Sequence, residues 1–518
     1  MTVQPEEIEA GGAGEKGLKG GAIGFVSGVV IGVASTAPGY SLAAVLGLVV
    51  AVVGVQAPAV LLLAFIPMLF IAASYYYLNR ADPDCGTTFS WVTRALGPYW
   101  GWIGGWGIIV ADIIVMANLA EVAAIYTYDL FGIDDPGTWA IVALGVGWIA
   151  IMTWITWRGI ELSARTQLFL LGAEIAALAL FSFVALGKVF FGNPPDSLTP
   201  SLSWLNPFAI QGVGDTSTLS ALTAGLLLSL FIYWGWDSTV TVNEESEDAT
   251  EGPGRAAVMS TIILLAIYVV VSVAVISYAG TEFLSLDENS GDVLGAVAGD
   301  VLGPLAFVLI IAVLTSAAAS TQTTILPTAR TLLSMGAKGA VPGYWARINP
   351  KYLTPGPATI WMGVLSIVWY VGLKVVSENI LYDAIAALGL MIAFYYGLTG
   401  YAAVIYYRRH LFDSAKAFIM VGLAPLIGAL ILTWALVKSV IDLADPANSE
   451  SGDSWFGYGP PLVIAVAFMV LGVILMIAVR IKSPEFFVTR KREVVPDDIG
   501  RSVSQRRGSR ASSSGEES

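Results

Sequence analysis

Four acidic residues lie inside long apolar stretches of this chain: Asp112, Glu121, Glu174 and Asp237. A carboxylate within hydrocarbon is costly, and it is retained where it binds a ligand, carries a proton or is held by neighbours. Other reactive groups are scarce. There is one cysteine, Cys85, and one histidine, His410, which follows Arg408 and Arg409 at the end of an apolar stretch. That count excludes an internal disulfide, a Cys–His dyad and a histidine-based metal centre. No Gly-x-x-x-x-Gly-Lys-Ser/Thr run is present, so nucleotide hydrolysis is not the expected energy source. Enzymatic chemistry is therefore not expected, and neither is a metal or an organic cofactor.

The elements that must position these acids follow from composition. The chain has 518 residues, of which 56% are apolar and 13% charged, and its mean hydropathy is +0.74. Soluble domains carry about 25% charged residues. Stretches long enough to cross about 30 Å of hydrocarbon recur throughout. Twelve spans are expected, near 21–49, 57–78, 98–130, 137–157, 162–190, 219–243, 256–279, 302–334, 357–376, 380–407, 416–440 and 460–482. With a cytoplasmic N-terminus, all of the 26 Lys and Arg except Lys188, Lys374 and Lys438 fall on the inner side. The positive-inside rule thus predicts a multi-pass protein of a cell membrane, a prokaryotic inner membrane, with both termini cytoplasmic. Residues 1–19 read as a cytoplasmic tail, and residues 484–518 as a disordered cytoplasmic tail, because their polar composition cannot form a core. Between them, 20–190 carries five spans, 191–218 an extracellular loop, 219–408 five more spans and 409–483 the last two.

Two spans carry their own interruption. The first reads Gly32-Val33-Ala34-Ser35-Thr36-Ala37-Pro38-Gly39-Tyr40. Proline lacks a backbone donor and disfavours helix at the preceding residue, so this span should break around Ser35–Gly39. The sixth reads Tyr233-Trp234-Gly235-Trp236-Asp237, with a glycine that weakens the helix. Bare backbone at membrane depth is tolerated where it is covered by protein or lines a cavity. Spans one and six are five apart, as an inverted repeat of five requires, and paired interruptions mark a transporter binding site. Ser35, Thr36, Ala37, Pro38, Gly39, Tyr233, Trp234, Gly235, Trp236 and Asp237 are therefore candidate substrate-binding residues. Freed N–H groups attract a carboxylate and freed carbonyls an ammonium or a cation.

These stretches also carry a resemblance. The broken first span with Pro38-Gly39-Tyr40, the run Asp84-Cys85-Gly86-Thr87 before Arg94-Ala95-Leu96-Gly97-Pro98, the Tyr233–Asp237 motif with Glu244-Glu245 and Gly252-Pro253-Gly254-Arg255, and Ala329-Arg330 through Lys338-Gly339 with Pro342, Asn349-Pro350 and Thr354-Pro355 occur in that order. Together they are similar to motifs of the amino acid–polyamine–organocation permeases, over about residues 20–480. The resemblance implies an all-α integral membrane fold, a LeuT-like 5+5 inverted repeat with 12 transmembrane helices. It implies a substrate site between spans one and six, lined also by three, eight and ten, and alternating access by a bundle of spans one, two, six and seven. The small Gly-Ser-Gly run of the family's first span is replaced here by Ala34-Ser35-Thr36-Ala37-Pro38.

The implied activity is secondary active transport of amino acids, proton-coupled, with polyamine or organic-amine transport or exchange as the alternative, and solute sensing without net movement as a further one. Asp112, in mid-span three, either meets an amine or is satisfied by hydroxyls of a neighbouring helix. Asp237 either holds the unwound segment or meets a substrate ammonium. Glu121 lies nearer the outer mouth. Glu174 stands where some relatives carry a lysine in place of sodium; it is the candidate carrier of H+, or a sodium ligand with the backbone at Val33 and Ala34 and hydroxyls of Thr315, Ser316 and Ser320. The acids Glu244, Glu245, Glu247, Asp248 and Glu251 read as a solvated inner loop, with Arg330 as the gate partner of Glu244 or Glu245. The expected partners are a small amino acid or amine and the lipid bilayer, with no nucleic acid and no obligate protein partner.

Overall fold

A computed structural model describes residues 16–133, 135–214, 217–376, 380–449 and 451–488. The first 15 residues of the expected N-terminal tail, Asp134 and most of the expected C-terminal tail lie outside them. The described residues form helices and connecting loops without a β-strand, apart from two isolated bridges.

In chain order the helices are α1 (Phe25–Thr36), α2 (Pro38–Val53), α3 (Ala57–Ala81), α4 (Thr88–Leu96), α5 (Pro98–Leu130), α6 (Thr138–Arg158) and α7 (Ile160–Gly192). Then come α8 (Thr218–Ile232), α9 (Ser238–Thr241), α10 (Gly252–Leu284), α11 (Asp287–Ser290), α12 (Val293–Leu302) and α13 (Phe307–Ala337). The last are α14 (Gly356–Val376), α15 (Ile380–Tyr406), α16 (Ala415–Ala417), α17 (Ala424–Asp442), α18 (Pro460–Lys482) and α19 (Glu485–Val488). A π-helical stretch, Phe418–Leu423, joins α16 to α17.

Among the described residues, ten helical stretches are long and apolar enough to cross a membrane. The first of them, Phe25–Ala81, contains α1, α2 and α3. The expected span near 219–243 is not one helix. It is α8, a turn over Tyr233–Asp237 and the single turn α9.

Lipid-facing helices such as α18 leave apolar side chains on their surface, for example Val470, Ile474 and Ile481. The interior is sealed by α5 and α13, which pack on each other; α13 also packs on α7 and α15 on α5. Against this frame lie α1 on α10, α10 on α3, and α8 on both α2 and α3. That second group comprises spans one, two, six and seven, the bundle expected to move.

The boundary at 484 shifts. Residues Glu485–Val488 form a helical turn rather than disordered tail. Phe486 stacks on Phe89 at 5.7 Å, Phe487 packs on Tyr99 at 5.1 Å, and both phenylalanines are buried. Two aromatic side chains recover enough apolar area to order a polar-flanked segment.

Candidate functional site

The first break is confined to Ala37, which is left-handed at φ 49°, ψ 63°, with Pro38 opening α2 at its first position. Proline is pre-organised for that place and donates nothing there. Hydroxyls satisfy the freed carbonyls. Thr36 Oγ1 donates to Gly32 O at 3.0 Å and Ser41 Oγ to Thr36 O at 2.9 Å. Ser320 of α13 donates to Ser35 O at 2.9 Å, and the Ser35 and Ser238 hydroxyls share a hydrogen bond of 2.7 Å. The amides of α2 are also held. Gly39 N–H donates to Glu174 Oε1 of α7 at 2.7 Å, and Tyr40 N–H to Ser316 Oγ at 3.1 Å. The Tyr40 hydroxyl donates to Asn118 Oδ1.

The second break faces the first. Gly235 has φ +121°, and a Cβ there would lie 2.6 Å from Ser35 O. Only glycine meets both the dihedral and the close approach. The turn delivers Asp237, whose carboxylate accepts from the Tyr395 hydroxyl at 3.1 Å and the Tyr396 hydroxyl at 2.9 Å. Trp234 Nε1 donates to the Tyr395 oxygen. Trp236 stacks on Tyr396, with ring centroids 5.2 Å apart, and meets Tyr75 edge-on. Tyr233 goes elsewhere: its hydroxyl donates to Leu61 O at 3.2 Å and its ring packs on Tyr268.

Asp112 of α5 accepts from Thr328 Oγ1 of α13 at 2.6 Å. Asp112, Glu174 and Asp237 are buried, and among the described residues none has a Lys, Arg or His as ion-pair partner. A cavity of about 660 Å³ reaches down to Tyr40, Asn118 and Phe231 beside the breaks, with Glu121 and Asp442 also on its walls. Glu121 is held by Lys374 at 2.6 Å and by the Tyr370 hydroxyl at 3.0 Å.

The other end of the bundle is shut. Arg330 Nε and Nη2 donate to the two Glu245 oxygens at 2.6 and 2.9 Å, with both side chains buried. The expected solvated acid loop is corrected here. Glu245 is 0% exposed and Glu251 is buried as well. Charge from outside the loop made this burial tolerable: Arg330 for Glu245, Arg80 and Arg255 for Glu251. The chain near Ile23 lies alongside, its N–H and that of Ala22 donating to Glu245 O at 3.0 and 2.8 Å.

Next to this pair sits Asp84. One oxygen accepts from Gly86 N–H, Ser90 Oγ and Ser334 Oγ at 2.6–2.8 Å; the other faces Lys338 at 2.7 Å and Lys16 at 3.1 Å. Burial would raise its pKa, but the Lys338 and Lys16 ammonium groups and these hydrogen bonds hold it well below the usual carboxylate range. Lys16 also pairs with Glu244 and lies among Asp84, Cys85 and Glu244, a grouping with metal-ligand spacing. Burial pushes the Cys85 thiol up. Asp82, paired with Arg94 at 2.9 Å, is raised to about 6 by burial, against the pull of Arg94.

The structure thus gathers Ser35, Thr36, Ala37, Pro38, Gly39, Trp234, Gly235, Trp236, Asp237 and Asp112 around the two breaks, with Glu174, Ser316 and Ser320 on the first. Thr315 is not gathered; its hydroxyl bonds back to Ile311 O and Ala312 O of its own helix. Val33 and Ala34 lie in the last turn of α1, and Ala34 O accepts from Ala37 N–H at 3.2 Å. Tyr395, Tyr396, Thr328, Asn118 and Lys16 were not singled out from sequence. The adjacent tyrosines within an apolar span were the one available signal.

A multi-pass helical bundle with two facing helix breaks and a buried ion pair towards one end defines a membrane transport protein rather than an enzyme. The chain belongs to the amino acid permease family, whose model matches residues 21–479. It is 24% identical to the low-affinity putrescine importer PlaP of Escherichia coli K12, over 71% of this chain and 77% of that one. It is 24% identical to an arginine/ornithine antiporter of Latilactobacillus sakei, over 62% and 67%. It is also 23% identical to the mouse Asc-type amino acid transporter 1, over 58% and 55%.

Proposed function

We propose that this chain is a proton-coupled secondary active transporter of the cell membrane, which moves a small solute bearing an ammonium group by alternating access. The observation that carries this reading is that Asp237, at the second break, and Asp112, in mid-α5, are both buried with hydroxyl donors and, among the described residues, no basic partner. Carboxylates at that depth are retained where a cation visits them. The relatives support the same class: putrescine, arginine, ornithine and amino acids all carry an ammonium group.

In this reading the twelve spans are the ten apolar stretches, with Phe25–Ala81 divided into α1–α2 and α3, and with α8–α9 counted as the broken sixth. Both termini are cytoplasmic, so the Arg330–Glu245 pair is an inner gate and the 660 Å³ cavity is an outer vestibule. The solute descends to the breaks, its ammonium meets Asp237 and Asp112, and the α1–α3, α8 and α10 bundle rocks on the α5–α13 frame. Glu174 carries the coupling proton. It pins Gly39 of the moving bundle to α7, and among the described residues its second oxygen meets no hydrogen-bond partner. A proton taken up there changes how firmly the half-helix is held.

Uptake into liposomes under an imposed proton gradient tests the proposal. Accumulation of an ammonium-bearing solute that Asp237→Asn abolishes supports it. Equal uptake with and without the gradient would remove the coupling. A sodium-coupled second reading rests on Ser320, whose hydroxyl already meets the Ser35 carbonyl. A sodium gradient in place of the proton gradient distinguishes the two.

A further inference from the structure

We infer that Glu174 is a resident carboxylate occupying the place a substrate carboxylate would take, and that the transported solute is therefore an amine without an α-carboxylate. This deepens the ammonium-solute reading above and rests on it.

The first turn of α2 offers few amides, and all are used. Pro38 has none. Gly39 N–H goes to Glu174 Oε1 at 2.7 Å, Tyr40 N–H to Ser316 Oγ at 3.1 Å, and Ser41 N–H back to Ala37 O at 2.8 Å. The fit around Gly39 is close. A Cβ there would stand 3.3 Å from Glu174 Oε1 and 3.4 Å from Ser316 Cβ. Gly39 thus lets a protein carboxyl group come up against bare backbone, as a ligand carboxylate would. On the facing break, the amides that flank the turn are used: Trp234 N–H on Phe231 O, Ser238 N–H on Gly235 O, and Val240 N–H on Asp237 O.

Charge argues the same way. A zwitterion would bring a further carboxylate to a site that already holds Asp112, Glu174 and Asp237, with no basic partner on any of them among the described residues. It would have to displace Glu174 from Gly39 or leave its own carboxylate unpaired in a buried place, and either is costly. An alkylamine or diamine meets no such penalty. Its ammonium is offered the carboxylates of Asp112 and Asp237. Glu174 is then a specificity-determining residue as well as the proposed proton carrier.

The test uses pairs that differ only in the α-carboxylate: lysine with 1,5-diaminopentane, ornithine with 1,4-diaminobutane, phenylalanine with phenethylamine. Binding to the purified full-length protein is read by thermal shift and by competition for uptake. For the wild type, the decarboxylated member of a binding pair is expected to be at least about tenfold tighter, the scale of one charge-assisted hydrogen bond. Glu174→Gly should lose that preference, and millimolar formate should restore amine binding by filling the vacated place. Glu174→Gln, which keeps an acceptor at Gly39, should retain the preference. Tighter wild-type binding of the carboxylated member overturns the inference while leaving the ammonium reading intact. Binding of neither member of any pair overturns both. The wild-type comparison needs no variant to fold.

Discussion

Arg330 and Glu245 lie 85 residues apart in sequence, yet the guanidinium grips both carboxylate oxygens, at 2.6 and 2.9 Å, where neither side chain meets solvent. An ion pair so placed returns little net stability, because desolvation consumes most of the attraction, but breaking it leaves a stranded charge. Such a contact therefore holds one arrangement firmly and releases it as a unit. That behaviour suits a gate.

Removing one partner should open the end of the bundle that the proposed orientation places inside. Arg330→Ala leaves Glu245 buried and unpaired, a change of about 3–5 kcal/mol in comparable sites. Cys85, the sole cysteine of the chain, reports on it from beneath Lys16 and Glu244. Its alkylation by a membrane-permeant maleimide should be slow in the wild type and at least about tenfold faster in Arg330→Ala. Equal rates would show that this pair does not shut the inner face.

The same end should respond to pH with two opposing signs. The Asp82 carboxyl group is raised by burial to about 6. The folded protein thus binds that proton more tightly than the unfolded chain, and its contribution to stability is lost as pH rises through about 6. Asp84, held low by Lys338 and Lys16, contributes stability above the ordinary carboxylate range and loses it only in strong acid. Asp82→Asn should therefore flatten the fall in melting temperature between about pH 4 and 6, whereas Asp84→Asn should lower the melting temperature at neutral pH. An unchanged slope in Asp82→Asn would contradict the assignment.

Gly235→Ala should be the most damaging single methyl group in the site. Its Cβ would press on Ser35 O at 2.6 Å, at a φ of +121° that side chains rarely adopt. The strain is about 1–3 kcal/mol, and it separates the two breaks. The expected result is folded protein in the membrane with transport lost. Full transport would mean that the breaks need not touch.

Asp112→Asn and Thr328→Val separate ligand from scaffold. The Thr328 hydroxyl donates to Asp112 Oδ2 at 2.6 Å. If Asp112 meets the ammonium, Asp112→Asn should weaken binding about tenfold or more, while Thr328→Val leaves the carboxylate in place and weakens it less. Equal losses would make Asp112 a structural acid.

Much of this arrangement was legible because its physics is local. Pro38-Gly39 cannot continue a helix, and Gly235 next to Asp237 within an apolar run marks the matching interruption. The apolar stretches gave most of the helices for the same reason. What stayed hidden depends on distant partners. Glu245 reads as a loop acid with Arg330 as its gate partner; the structure pairs them, and what local sequence does not show is that both side chains are sealed from solvent. Lys16 looked like part of a polar tail, yet it neutralises Asp84 and Glu244. Beyond their adjacency, nothing local marks Tyr395 and Tyr396; the turn at Gly235 brings Asp237 to their hydroxyls. The amides freed by Pro38 looked available to a ligand, and the structure gives them to Glu174 and Ser316.

The most direct test of the account is uptake of a labelled ammonium-bearing solute into proteoliposomes with the interior made alkaline. The account predicts accumulation above the external concentration, collapse of that accumulation with a protonophore, and its loss in both Asp237→Asn and Glu174→Gln. Undiminished, gradient-driven uptake by Asp237→Asn would contradict it.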